Sequence, residues 1–151
     1  MIKTNYKELL AEIRELIADI PYPITNYANT SAAIWRALPD INWAGFYLLE
    51  GDILILGPFQ GNPACVYIPL GKGVCGTCLK EKRTLIIPDV EQFPGHIACD
   101  SASRSEIVIP MIKDGKAIGV LDIDSPIKDR FDENDQKYLE ELVSLLLDHA
   151  T

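Results

Sequence analysis

Four cysteines, Cys65, Cys75, Cys78 and Cys99, fall in the middle third of the chain, and His96 stands three residues before the last of them. A thiolate is both a nucleophile and a metal ligand, so two chemistries are open. Cys75, Cys78, His96 and Cys99 read as C-x2-C-x17-H-x2-C, a spacing similar to that of four-coordinate zinc sites. The redox reading fits better. Cys99 lies in a polar loop beside His96, with Arg104 a few residues on, and a nearby cation favours the reactive thiolate. Cys75 falls at the expected start of a short helix, where the helix dipole acts in the same direction. Cys65 precedes both. One nucleophile with one or two resolving thiols is the pattern of reversible sulfur oxidation. The plain alternative is a set of buried, inert thiols.

Carboxylates form the second candidate set. Side chains alternate along a strand, so Ile118, Val120, Asp122 and Asp124 should share one face. That face begins apolar and ends in two like charges, which need solvent, a cation or a ligand. Such a pair either emerges into water or floors a pocket suited to an ammonium group. Glu106 lies on the expected partner strand. A simple two-residue turn puts it opposite Ile123, facing away from the pair; a one-residue bulge brings all three carboxylates together. Trp43, Phe46, Tyr47 and Phe59 read mainly as core, although an indole on a pocket wall can pack a methyl or thioether group.

The elements that must position these groups follow from periodicity and punctuation. Apolar residues at helical spacing predict a helix over 5–18 with Thr4 as its cap, ended by Pro21 and Pro23. A second helix is expected over 25–38, closed by Pro39. Residues 43–49 and 52–56 read as a strand pair, 57–63 as a loop, and 65–69 as a short strand. A glycine-rich approach over 71–76 leads into a short helix over 77–82. Residues 84–87 read as a strand and 89–103 as a loop. Strands over 105–113 and 116–124 meet at Asp114-Gly115, a favoured hairpin turn. Asp132 caps a last helix over 133–150. Hairpins outnumber parallel crossovers, so the expected class is α+β, an antiparallel sheet with its helices on one face.

The chain has 151 residues and 16.8 kDa, with 14 Lys+Arg against 22 Asp+Glu and a net charge of −8. That balance argues against nucleic acid, whose backbone demands a basic patch. The dense basic cluster Lys80, Lys82 and Arg83 contains Glu81 and reads as a solvated helix end. Charges scattered through the first 18 residues exclude an apolar signal segment, and no run approaches the ~20 apolar residues of a membrane span. The expectation is a cytoplasmic protein with no membrane contact, whose cysteines are reduced or catalytic.

Five blocks then resemble one known family: Gly57-Pro-Phe-Gln-Gly-Asn-Pro-Ala-Cys65, Gly71-Lys-Gly-Val-Cys75-Gly-Thr77, Phe93-Pro-Gly-His-Ile-Ala-Cys-Asp-Ser101, Ser103-Arg-Ser-Glu-Ile-Val108 and Gly119-Val-Leu-Asp-Ile-Asp-Ser125. Together they are similar to the free methionine-(R)-sulfoxide reductases, single-domain GAF proteins. The resemblance implies one GAF domain over 1–151: a sheet of five or six strands with the N- and C-terminal helices on one face. It implies that Cys99 is the catalytic cysteine, Cys65 the main resolving cysteine and Cys75 an auxiliary one. It implies that Glu106, Asp122 and Asp124 line the substrate site, with Trp43 and Tyr47 as its aromatic wall, and it favours the bulged register for Glu106. The implied reaction reduces free methionine-(R)-sulfoxide through a Cys99 sulfenic acid and a Cys65–Cys99 disulfide. A thioredoxin-type dithiol restores the thiols, and no metal or other cofactor takes part. Cys78 departs from the family pattern, which more usually has a small apolar residue there. GAF domains often dimerise through terminal helices, and the apolar stripe over 139–146 would permit a homodimer. The rival class is a non-enzymatic GAF sensor for a ligand such as a cyclic nucleotide, but an acidic pocket has the wrong sign for an anion.

Overall fold

The computed structural model describes residues 3–97 and 99–149. Helix α1 covers Tyr6–Ile17 and opens on Asn5, whose side chain accepts the Glu8 backbone N–H at 3.1 Å; the cap is therefore Asn5 and not Thr4. Helix α2 covers Pro23–Ala37 and starts earlier than expected, because Pro23 sits in the first turn, where its missing N–H costs nothing. Helix α4 covers Glu133–His149, and Ala150 lies outside the described residues. Its entry is a reciprocal box. Asp132 accepts the Asn134 and Asp135 N–H groups, and Asp135 accepts the Asp132 N–H at 2.9 Å. Tyr6 then donates to Asp135 at 2.5 Å and fastens α1 to α4.

Six strands form one antiparallel sheet in the order β3-β2-β1-β6-β5-β4: β1 Trp43–Glu50, β2 Ile53–Gly61, β3 Tyr67–Pro69, β4 Leu85–Ile87, β5 Ser105–Lys113 and β6 Lys116–Ser125. Alternation along β1 sends Ala44 and Phe46 to one face and Trp43 and Tyr47 to the other. On the first face α1, α2 and α4 bury Ile13, Ile34, Leu139 and Leu142 against Phe46, Ile109, Leu121 and Ile123. Each such side chain contributes about 1.5–3 kcal/mol when fully buried. The terminal helices share one face as expected, but the helices are not all on it. Helix α3, Gly73–Glu81, packs on the opposite face through Val74, Cys75, Cys78 and Leu79 against Val108 and Val120. It also begins four residues before the expected start. Gly76 permits that docking, because a Cβ there would lie 2.4 Å from the Pro69 carbonyl oxygen.

Two bulges separate the observed sheet from the simplest reading. In β2, the register passes from Tyr47 opposite Leu56 to Gly45 opposite Phe59, so Gly57 and Pro58 together face Phe46. Pro58 is tolerated in the bulge, where a ladder N–H is not required. The strand thus continues through residues 57–61, which the glycine and proline content had suggested were loop. In β6, Met111 pairs with Gly119 and Ile112 with Ala117, leaving Ile118 as the extra residue. Ile118 consequently packs on the α1/α2/α4 face and not, as alternation suggested, with Val120.

Candidate active site

The Ile118 bulge decides the site. It shifts the β5–β6 register by one residue, so Glu106 stands opposite Asp124 and joins Asp122 on the α3 face. Glu106 and Asp122 are 7% and 5% exposed. All three carboxylates line one chamber, together with Trp43, Tyr47, Cys75 and Cys99. Every site residue that the family resemblance implied is therefore in its wall except Cys65, which is joined to it covalently. Cys65 and Cys99 form a disulfide with a Cα–Cα distance of 5.3 Å.

Burial holds Asp122 well above the usual carboxylate range, reinforced by Asp124 and Glu106. Burial followed by Glu106 does the same to Asp124. No lysine or arginine lines the chamber among the described residues. Asp122 and Asp124 thus hold their protons more tightly than ordinary carboxyls, and a bound cation would oppose that shift. Oδ1 of Asp122 and Oδ1 of Asp124 have no hydrogen-bond partner among the described residues.

The wall is aromatic and fixed. Trp43 is stacked between Phe59, 5.1 Å away, and Tyr47, 5.8 Å away, and its Nε1 donates to the Asn62 carbonyl at 3.1 Å. Gly45 makes room for Phe59, because a Cβ at Gly45 would lie 2.2 Å from that of Phe59. The Tyr47 hydroxyl donates to the Cys65 carbonyl at 2.9 Å and so anchors the segment carrying that cysteine.

Two expectations about the thiols need correction. Cys75 does lie in the first turn of α3, but the helix dipole does not govern it. Burial, together with Asp122, Glu106 and Asp124, pushes its thiol well above the ordinary value, and its sulfur lies 4.0 Å from Glu106 Oε2. Arg104 does not attend Cys99 either: it turns outward to Glu91 at 3.5 Å, both side chains being exposed. His96 does line the chamber. The zinc-like spacing is not assembled, since the Cys99 sulfur is bonded to Cys65 and the Cys78 thiol donates to the Val108 carbonyl at 3.5 Å. Cys78 is fully buried, and burial raises its thiol too. The disulfide-bonded pair, Cys65 and Cys99, is half-buried, whereas Cys75 and Cys78 are buried.

Asn42 and Ser103 escaped the sequence reading. The Asn42 amide donates to Asp100 Oδ2 and to Ser103 Oγ, both at 3.1 Å, tying the Cys99 loop to the start of β1. Ser103 also lines the chamber that Asp124 floors. Their one signal was position: an amide immediately before β1 and a run of hydroxyls immediately before β5.

Residues 8–147 match the GAF domain model. The chain is 51% identical over 147 residues to the free methionine-R-sulfoxide reductase of Escherichia coli, covering 97% of this chain and 89% of that one. It belongs to the GAF family, in the free methionine-R-sulfoxide reductase group. The structure of fRMsr of Staphylococcus aureus in its reduced form superposes on this GAF domain with a TM-score of 0.96 at 55% identity, over 99% of this chain and 97% of that one. The same protein solved in complex with substrate gives 0.96 at 54% identity, over 100% and 99%. The six-stranded sheet of this GAF protein falls within the expected five or six. None of the described helices is long and apolar enough to cross a membrane.

Proposed function

We propose that this protein, acting as a single GAF domain over residues 1–151, reduces free L-methionine-(R)-S-oxide to L-methionine. The observation that carries the reading is one juxtaposition: a Cys65–Cys99 pair joined to a chamber floored by Glu106, Asp122 and Asp124 and walled by Trp43. The Cys99 thiolate attacks the sulfoxide sulfur. The oxygen is transferred to Cys99 as its sulfenic acid while methionine leaves as the thioether, so the substrate sulfur is reduced as the cysteine is oxidised. Glu106 or Asp124 donates the hydrogen bond or proton that the oxygen needs as charge develops on it. The Cys65 thiol condenses with the sulfenic acid, forming the disulfide and releasing water. A thioredoxin-type dithiol then reduces that bond, and no metal or other cofactor is required.

The acidic floor supplies specificity for the free amino acid. An α-ammonium satisfies the carboxylates, whereas a peptide-bonded residue has no such charge. Trp43 packs against the S-methyl group. The half-burial of Cys65 and Cys99 supports access by a protein reductant, and thioredoxin implies a reducing compartment such as the cytoplasm.

The test is turnover of the free R epimer with thioredoxin or dithiothreitol. We expect reduction of that epimer, weak activity on the S epimer and on peptide-bonded sulfoxide, and none in Cys99→Ser. Full activity in Cys99→Ser overturns the assignment, as does sulfoxide binding without turnover, the behaviour of a sensor.

A further inference from the structure

The proposed reaction leaves Cys75 without a step that needs it. Its sulfur and one carboxylate oxygen each from Glu106 and Asp122 lie within 4.8 Å of one another, all three residues being buried. We propose that Cys75, Glu106 and Asp122 form a binding site for one zinc ion, and that the ion occupies the floor of the chamber in place of an ammonium group.

The donor set selects the metal. One thiolate with two carboxylates suits a borderline cation, whereas magnesium and calcium prefer oxygen alone. Around tetrahedral zinc, with Zn–S near 2.3 Å and Zn–O near 2.0–2.2 Å, donor atoms stand about 3.3–3.6 Å apart. The three donors therefore need to close by little more than an ångström, which side-chain rotation supplies. Three protein ligands leave a fourth position for water. A second observation points to a cation ligand: Asp122 is 5% exposed, yet its Oδ1 has no hydrogen-bond partner among the described residues. A buried polar atom without a partner is costly, and a cation relieves that cost in an acid cluster that no lysine or arginine among the described residues lines.

Binding replaces the Cys75 S–H proton, and any proton on the two carboxyl ligands, with the metal, and those protons leave to solvent. No oxidation state changes. That the ion competes with substrate rests on the function proposed above; the site itself does not.

Cobalt(II) titration of the disulfide form tests the site, because Cys75 and Cys78 are then the free cysteines. We expect one equivalent bound, visible tetrahedral d–d bands and a thiolate-to-cobalt charge-transfer band. Cys75→Ser removes the charge-transfer band and weakens zinc binding in equilibrium dialysis by at least ~100-fold, the upper range for losing even an outer-shell partner. Asp122→Asn weakens it comparably, and Cys78→Ser keeps the band. Wild-type protein without a charge-transfer band overturns the proposal, whatever the variants do, and so does a band that survives in a folded Cys75→Ser. The titration contains no sulfoxide. A protein that binds cobalt but reduces nothing therefore refutes the proposed function alone, and one that reduces sulfoxide but binds no cobalt refutes the site alone.

Discussion

Reducing the Cys65–Cys99 bond should destabilise the folded protein by an amount that the loop it closes determines. The two residues are 34 apart in sequence. Loop-closure entropy for that span is worth about 3.8 kcal/mol at 25 °C. For a domain of about 150 residues, this corresponds to a fall of about 8–15 °C in Tm. A domain with about 5–15 kcal/mol of stability survives the loss, so the reduced form stays folded and competent. The size of the effect does not identify the partner. A Cys75–Cys99 bond would close a loop ten residues shorter and be worth only about 0.3 kcal/mol less. The Cys65→Ser variant identifies it. Urea unfolding of air-oxidised and reduced wild type should give midpoints separated by that free energy, while Cys65→Ser should give one midpoint under both conditions. Equal midpoints for oxidised and reduced wild type refute the reasoning. So does a Cys65→Ser protein that still loses stability on reduction, because another thiol must then be the partner.

Cys65→Ser should also release one equivalent of methionine per enzyme and then stall with thioredoxin, as measured by quench-flow amino-acid analysis. Tyr47→Phe removes the hydroxyl that holds the Cys65 carbonyl at 2.9 Å. It should cost about 1 kcal/mol of stability and slow disulfide formation more than the methionine burst, read by rapid-quench mass spectrometry. Asp122 is held above its unfolded range by burial, so the native state binds more protons than the unfolded one, and stability falls as pH rises from the ordinary carboxylate range through the raised value. Asp122→Asn should flatten that slope and raise neutral-pH stability while increasing KM, checked by urea unfolding across pH and by steady-state kinetics. Gly76→Ala drives a Cβ to within 2.4 Å of the Pro69 carbonyl oxygen and should lower stability by about 1–3 kcal/mol, read as Tm.

Most of the frame was legible because local chemistry specifies it. The Asp114-Gly115 turn, with φ of 52° and 77°, fixes the β5–β6 hairpin, and the α4 entry follows from Asp132. The aspartates were legible through alternation. Glu106 was not legible from residues alone, because one extra residue at Ile118 decides whether it faces Asp124 or points away. A bulge is a compromise between twist and packing across strands, and no dipeptide encodes it. The stretch from Gly57 to Gly61 misled for a related reason. Pro58 reads as a strand breaker until a bulge gives it a place and Ser31 reaches its carbonyl at 3.2 Å. The Cys75 thiol was misjudged because a helix start is local information, whereas the carboxylates across the chamber are brought by β5 and β6. Arg104 was misjudged because spacing in a loop carries no direction.

The depth of each group explains how one small domain could serve the two proposed reaction partners, which differ greatly in size. The proposed dithiol protein can reach only the surface, and the disulfide it would break is half-buried. The acid floor lies deeper, where a small molecule fits, and burial raises Asp122 and Asp124 well above the usual carboxylate range. That arrangement costs stability in the empty protein, since buried Glu106 and Asp122 and half-buried Asp124 share one face with no cationic side chain among the described residues lining it. The same cost becomes binding energy when a cation enters, because any ligand that binds only the native state stabilises it by mass action. A hydrophobic floor would stabilise the fold and remove the proposed discrimination between free and peptide-bonded substrate. The strain is therefore located where the proposed selectivity is generated, as expected when activity and stability compete for the same residues.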